Sequence, residues 1–324
     1  MAEALILTAK DFRALRNDAG HMDGAIAAVD KAVAAQHRLR VRHQHLFDIA
    51  PGETDGLRLS VSAEDGSRSG MRVFGNPPHT RAYLLFDVAT RALLATMDYG
   101  VLNSMRVGAT TSVAARHLAP ADTRVVGLIG AGWQAQPQLD GLKKALPSLE
   151  LVRVFSPTKT KREAFAKSMS ERLGIRVEPV ESTEAAIHGA DLVDLCAPGH
   201  SALREPLFEP SWVKPGALVV ALAPNQCPID FVRRARVVAV SWDALLHPES
   251  WPPFDRLIQS GELTRDNIMT LGAVAAEGNS PRHSADETVV YYLEGASAAD
   301  LYIASWAYDW ARAQGLGQRF DLRE

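Results

Sequence analysis

The chain has 324 residues, 47% of them hydrophobic and 23% charged, an ordinary globular composition with room for two domains that each bury a core. A net charge of −3 excludes the basic excess of a nucleic-acid binder, and no apolar run approaches the ~20 residues of a membrane helix. Cys196 and Cys227 form neither a disulfide framework nor a metal-spaced set, and the N-terminal apolar run is too short for a signal peptide, so the expected setting is the reducing cytoplasm.

Thr8, with Asp11 three residues on, has the spacing of a helix start. Asp23 is expected to cap a second helix, whose apolar face (Ile26, Val29, Ala32, Val33) ends near Arg40. The basic stretch His37–His45 has a size suited to a small anion. From Leu57 to Met97 the texture changes to short runs, Leu57–Ser62, Gly70–Phe74, Arg81–Asp87 and Ala92–Met97, separated by Asp-Gly, Asn-Pro-Pro and similar breakers. This pattern predicts an antiparallel meander. Asn103 is expected to cap a helix that reaches Leu118 and stops at Ala119-Pro120.

Beyond Pro120, apolar runs alternate with helical segments: Arg124–Ile129, Leu151–Phe155, Val177–Val180, Asp191–Ala197, Ala217–Leu222 and Val237–Val240. Near-continuous Val/Leu/Ile strands between helices predict a parallel sheet covered on both faces. The last helix carries Leu301, Ile303, Trp306, Tyr308 and Trp310 on more than one face, which predicts burial against other elements or a partner subunit.

The most specific local signal follows the first of these strands. Gly130, Gly132 and Ala135, with Trp133 and Gln134 between them, complete G-x-G-x-x-A between an apolar strand and a helix. Gly130 permits the tight turn, Gly132 lets the backbone approach a pyrophosphate, and Ala135 keeps helix and strand close. The phosphates of a nicotinamide dinucleotide would sit over the helix N-terminus. At the end of the second strand, where an acid would select NAD, the sequence instead reads Ser156-Pro157-Thr158-Lys159-Thr160-Lys161-Arg162. Ser156, Thr158, Lys159 and Arg162 suit a 2′-phosphate and favour NADP over NAD; the alternative is a solvated helix start.

The run Ser104–Ala119 leading into the Gly130 turn resembles the ornithine cyclodeaminase/mu-crystallin family, as do Ser156-Pro157-Thr158, Gly189–Val193, Trp212–Gly216, Gly295 and Asp300-Leu301. The resemblance implies an α/β protein: a Rossmann-type doubly wound parallel sheet domain (119–295), plus an α+β substrate and dimerisation domain from both chain ends (1–118 and 296–324). It implies hydride transfer between nicotinamide and a carbon bearing nitrogen, and a homodimer. By the same resemblance Arg106 holds the substrate carboxylate. Arg40, or Arg42 two residues on, is a second such arginine. Thr110, Thr111, Cys196, Ala197, Pro198 and Ala223 lie against the cofactor.

Two family features are missing. The family's proton-donating lysine falls at Ser60 or Arg72, and no lysine at all occurs between Lys31 and Lys143. Arginine is no proton donor at working pH, although it binds carboxylates, so Arg72 points to a second acidic group on the substrate. The family's aspartate after the fifth strand is matched by Asn225, which hydrogen-bonds but takes no proton. His43, His45, His79 and Tyr83 are the candidate proton sources. The expected function is therefore NADP-dependent reduction of an imine, or amino-acid dehydrogenation, on a small carboxylated substrate. The alternatives are a cyclodeaminase with an altered proton relay and a non-catalytic NADP(H)-binding protein.

Overall fold

A computed structural model describes the chain apart from residues 1–3, 19, 39–57, 64–66, 75–80, 198–204, 224, 243–244, 246–251, 279, 294–295 and 322–324. Arg40, Arg42, His43, His45, His79 and Pro198 lie outside the described residues. Two units emerge, one of Met1–Ala109 with Ala296–Glu324 and one of Thr110–Gly295.

The first unit holds strands β1 (Ala4–Leu7), β2 (Arg58–Ala63), β3 (Arg68–Phe74), β4 (Ala82–Asp87), β5 (Leu93–Asp98) and β14 (Gln318–Phe320), in the order β14-β1-β5-β4-β3-β2. The meander is antiparallel from β2 to β5, as the breakers predict. Tyr83, Leu85, Ala95 and Met97 alternate inward from it. The chain ends add β1, parallel to β5, and β14, antiparallel to β1, neither of which the sequence reading anticipated.

Helices α1 (Ala9–Asn17), α2 (His21–His37) and α10 (Ser297–Ala313) belong to this unit, and α10 packs on α2, β2 and β3. Asp11 Oδ2 accepts from both Thr8 N and Thr8 Oγ1 at 2.7 Å, as a helix start requires. Two expected helix boundaries are corrected. Helix α2 starts at His21 and ends at His37, so Asp23 sits in its first turn, where its charge is favourable to the helix dipole but does not cap. Helix α3 (Gly100–Leu118) starts three residues before Asn103, because the Asp98 carboxylate accepts from Gly100 N at 3.2 Å and takes the capping role. Through α3 the chain passes from the first unit into the second.

The second unit is an eight-stranded sheet: β6 (Val125–Ile129), β7 (Leu151–Phe155), β8 (Arg176–Pro179), β9 (Leu192–Leu195), β10 (Leu218–Ala221), β11 (Arg236–Ala239), β12 (Ile268–Thr270) and β13 (Val289–Tyr292). The order is β12-β11-β13-β10-β9-β6-β7-β8, and every neighbouring pair is parallel. The six expected strands are all present. β12 and β13 were not anticipated, and β13 separates β10 from β11. The chain runs outward from β6 to β8, then crosses back to β9, so the strand order reverses between β6 and β9. This is a Rossmann-type doubly wound fold, and its crevice opens at the carboxyl ends of those two strands.

Around the sheet lie α4 (Ala135–Ala145), α5 (Lys159–Leu173), α6 (Thr183–Ile187), α7 (Ile229–Arg234), α8 (Phe254–Gln259) and α9 (Leu271–Glu277). One face packs Ile129, Val193, Leu195, Val219 and Val290 against Ile187 of α6 and Phe231 of α7. Asp230, expected as a cap, lies inside the first turn of α7 because Pro228 precedes that helix. Asp191 anchors the start of β9 to β6: its Oδ2 accepts from Arg124 N at 2.9 Å and Val125 N at 3.0 Å, and Lys214 pairs with Oδ1.

The side chain of Asp194 alternates with the core residues Val193 and Leu195 and is wholly buried; neither carboxylate oxygen has a partner among the described residues. Burial pushes this carboxyl up to about 8, whereas an unfolded chain titrates it at about 4. Between those values the folded chain keeps a proton that the unfolded chain has released. Stability therefore falls as pH rises through that window, by about 1.4 kcal/mol per pH unit at most, and levels off above it. Asp194→Asn is expected to flatten the decline of Tm between about pH 5 and 8 and to raise Tm at the upper end. Parallel Tm profiles for the two proteins would show that the carboxyl titrates normally.

Candidate active site

At the end of β6, Gly130 has φ +118°, and its N–H donates to Phe155 O at 2.7 Å. A Cβ there would lie 2.7 Å from the Cys196 carbonyl oxygen, a backbone atom that cannot swing aside, so the position admits only glycine. Gly132 is the opposite case: a Cβ there would meet nothing within 4 Å. Over Gly132 the backbone thus lies open, while Gly130 packs the turn against β9. Trp133 is 57% exposed beside this opening, Gln134 precedes α4, and Ala135 is fully buried at the first position of that helix. An open backbone cradle at a helix N-terminus fits a dinucleotide pyrophosphate.

Ser156 is buried at the end of β7, whereas Thr158 and Lys159 are exposed at the start of α5. Arg162, 3% exposed, is turned back toward the strand: Nη1 donates to Ser156 O at 3.0 Å, Nη2 pairs with Glu181, and the guanidinium lies over the Phe155 ring. Hydrogen bonding from Arg162 holds the exposed Glu181 carboxyl below the usual range. Glu181 is an acid at this corner that chain order conceals, since it follows β8 rather than β7.

At the carboxyl ends of β9 and β10, one side chain joins the strand ends. Gln226 Oε1 accepts from Leu222 N at 2.9 Å and Ala223 N at 3.0 Å, and its Nε2 donates to Leu195 O at 2.8 Å and Ala197 O at 2.7 Å. Sequence reasoning passed over Gln226; its only signal is a buried amide amid a Pro-rich loop. Asn225 beside it adopts φ +58°, a left-handed conformation that asparagine tolerates, and its N–H donates to Pro252 O at 2.8 Å. Burial, and then the nearby Asp194, raise the Cys196 thiol well above its ordinary range, and burial does the same to Cys227. Both are thiols at neutral pH rather than nucleophilic thiolates. Thr110 and Thr111 on α3 are both buried.

In the first unit, two sequence-predicted arginines meet on a carboxylate. Arg106 Nε lies 2.9 Å from Asp300 Oδ1, and Arg72 Nη1 lies 2.9 Å from Asp300 Oδ2. Tyr99 OH donates to Asp300 Oδ1 at 2.8 Å, and Asn103 Oδ1 accepts from Arg106 Nη2 at 2.7 Å. Asp300 is 2% exposed. Burial, and then Asp300, push the Tyr99 phenol well up, so it serves as a neutral hydrogen-bond donor. Burial, and then the Arg72 charge, press the Arg81 pKa downward. Ser60 and Arg72, the two candidates for the lysine position, are cross-strand partners in β2 and β3. Tyr83, opposite Arg72 on β4, is a core residue stacked 5.1 Å from Tyr99.

Comparison with known proteins bears on this arrangement. The sequence profile of the ornithine cyclodeaminase/mu-crystallin family matches residues 39–315. Ketimine reductase mu-crystallin of Mus musculus is 29% identical over 238 residues, covering 72% of this chain and 70% of the relative. Among solved structures, the Delta(1)-pyrroline-2-carboxylate reductase of Thermococcus litoralis, bound to NADH and L-proline, aligns with a TM-score of 0.85. It is 23% identical, and the alignment covers 98% of this chain and 100% of that one. The iminosuccinate reductase of Paracoccus denitrificans, bound to NAD+, also aligns at 0.85, with 22% identity over 99% of this chain and 100% of that one.

Proposed function

Because the chain belongs to the ornithine cyclodeaminase/mu-crystallin family, we propose that it is an NAD(P)H-dependent reductase of C=N bonds in small carboxylated substrates. The observation that carries this reading is the turn itself, open over Gly132 and closed behind Gly130 at the point where the strand order reverses. When bound, the reduced nicotinamide supplies the hydride. Gly130, Gly132 and the N-terminus of α4 would receive the pyrophosphate, and exposed Lys159 with Thr158 favours a 2′-phosphate, hence NADPH over NADH. Relatives named for reducing a ketimine, a pyrroline carboxylate and iminosuccinate support the same bond as target.

The remaining work falls to the chain's own groups. Arg106 is a planar fork whose orientation is fixed by Asp300 and Asn103, and a fork so held recognises a carboxylate with little ordering cost. Arg72 beside it favours a substrate with a second acidic group. Asn225 offers a hydrogen bond to the reacting nitrogen but moves no proton. Hydride transfer to an already protonated imine needs no further acid, whereas ring closure with ammonia release needs the absent lysine and aspartate; this is why reduction is preferred to cyclodeamination. The chain is further proposed to act as a homodimer. Ile6, Leu84 and Phe86 are partly exposed on the first unit's sheet and supply apolar surface for that contact.

The test is a panel of mono- and dicarboxylic 2-oxo acids, each with ammonia or methylamine, together with cyclic ketimine carboxylates. Cofactor oxidation is followed with NADPH and NADH. Turnover that depends on both amine and oxo acid, fastest with a dicarboxylic partner and NADPH, is expected. Dinucleotide binding without turnover on any pair would contradict an enzymatic role.

A further inference from the structure

We infer that Gln226 is a positioning residue for the nicotinamide half of the dinucleotide: its side-chain amide fastens the carboxyl ends of β9 and β10 together and thereby sets the backbone at Ala197 and Ala223. The inference rests on the dinucleotide reading of the Gly130 turn. Pairing between the two strands runs to Leu195 and Ala221. Just beyond that point the ladder is replaced by one side chain, with Gln226 Oε1 taking the N–H groups of Leu222 and Ala223 and Nε2 giving to the carbonyls of Leu195 and Ala197.

These four bonds use both acceptor sites and both donors of a carboxamide. Gln226 is 1% exposed, so each of the four backbone groups would have to find another partner if the amide were lost. The loop that carries it is fixed on other sides as well: Gln226 O accepts from Leu207 N at 3.1 Å, and Asn225 N donates to Pro252 O at 2.8 Å. In a doubly wound sheet the reacting end of the cofactor lies at these strand ends, while its phosphates lie on the first turn. That turn is held by a different bond, from Gly130 N to Phe155 O. Gln226 makes no bond to that turn, although its bonds to Leu195 O and Ala197 O flank the Cys196 carbonyl on which Gly130 packs.

A carboxamide is the group this geometry specifies. A glutamate would set an oxygen against two carbonyl oxygens; burial and those carbonyls favour its protonated form, while the two backbone N–H groups favour the carboxylate. When protonated it donates its one O–H to one carbonyl while its other oxygen keeps the two N–H groups, and the second carbonyl is left unpaired. Gln226→Glu therefore restores at most three of the four bonds, and only while protonated.

The experiment uses the full chain, its Gln226→Glu and Gln226→Met variants, and four probes: NADPH, NADH, 2′-phospho-ADP-ribose and ADP-ribose. At about pH 8.5, Gln226→Glu is expected to bind the better dinucleotide at least tenfold more weakly than the unaltered chain, with its affinity for the better fragment within about twofold. At about pH 6, where more of the carboxyl is protonated, the deficit relative to the unaltered chain is expected to be smaller than at about pH 8.5. Gln226→Met is expected to stay weak toward dinucleotide at both pH values, with fragment binding intact. Unchanged dinucleotide affinity in both variants overturns the inference. Parallel loss of fragment and dinucleotide in both variants also overturns it, because the four bonds would then hold the unit together rather than position one half of the cofactor. An unaltered chain that binds none of the four probes overturns the dinucleotide reading itself, and the inference with it.

Discussion

Gly132→Ala is expected to leave the folded chain within about 0.5 kcal/mol of its original stability and to weaken dinucleotide binding at least tenfold. The two effects separate because a Cβ at Gly132 meets no protein atom within 4 Å, so only a ligand laid over the backbone would feel the methyl group. Gly130→Ala is the contrast. There the Cβ falls 2.7 Å from the Cys196 carbonyl oxygen at φ +118°, so folding and binding should fail together. Strain of this kind costs about 1–3 kcal/mol before the clash is relieved. Melting curves and NADPH titrations of the two variants make the comparison. Equal affinity of Gly132→Ala and the unaltered chain would place the phosphates somewhere other than this turn.

Asp300→Ala is expected to destabilise the chain by about 3–5 kcal/mol, the cost of breaking a buried ion pair from one side. Asp300 is 2% exposed and receives Arg72, Arg106 and the Tyr99 hydroxyl, so its loss leaves two guanidiniums without the carboxylate that orients them. Asp300→Asn keeps the shape and can still accept from Tyr99 while removing the charge. It should fold better than the alanine variant and still lose substrate recognition, with KM for the oxo acid raised more than kcat is lowered. Urea unfolding and steady-state kinetics separate the two effects. A loss below about 1 kcal/mol for Asp300→Ala would mean that the cluster is hydrated and carries little of the unit's stability.

What could be read from the sequence follows how local each feature is. The Gly130 turn is a contiguous pattern, and the meander strands β2 to β5 are bounded by their own breakers, so both were legible. β13 was not: Val289–Tyr292 is a four-residue apolar run like many others, and only tertiary pairing inserts it between β10 and β11. β1 and β14 find each other from opposite chain ends. The early start of α3 was missed because the Asp98 carboxylate outcompetes Asn103 for the capping role, leaving Asn103 to accept from Arg106 one turn on.

The site divides the same way. Arg106 and Arg72 were legible as residue types in a pattern. Asp300, which orders both, was recognised only as part of a spacing, because its bond to Tyr99 spans 201 positions. Gln226 reaches Leu195 across 31 positions, and nothing in its neighbours' sequence announces four hydrogen bonds. Arg162 looked like a ready phosphate ligand. In the fold it is already engaged by Ser156 O and Glu181, which shifts the weight of the NADP expectation onto Lys159 and Thr158.

The most direct measurement is deuteride transfer. The chain is incubated with NADPH deuterated at the nicotinamide C4 in the transferable position, an amine and the oxo acid that together turn over fastest. Mass spectrometry then locates the label. One deuterium on the carbon that bears nitrogen in the product amino acid is the expected result. Label in a 2-hydroxy acid would show that the chain reduces C=O rather than C=N and would contradict the assigned chemistry, as would the absence of label from every product while NADPH remains bound.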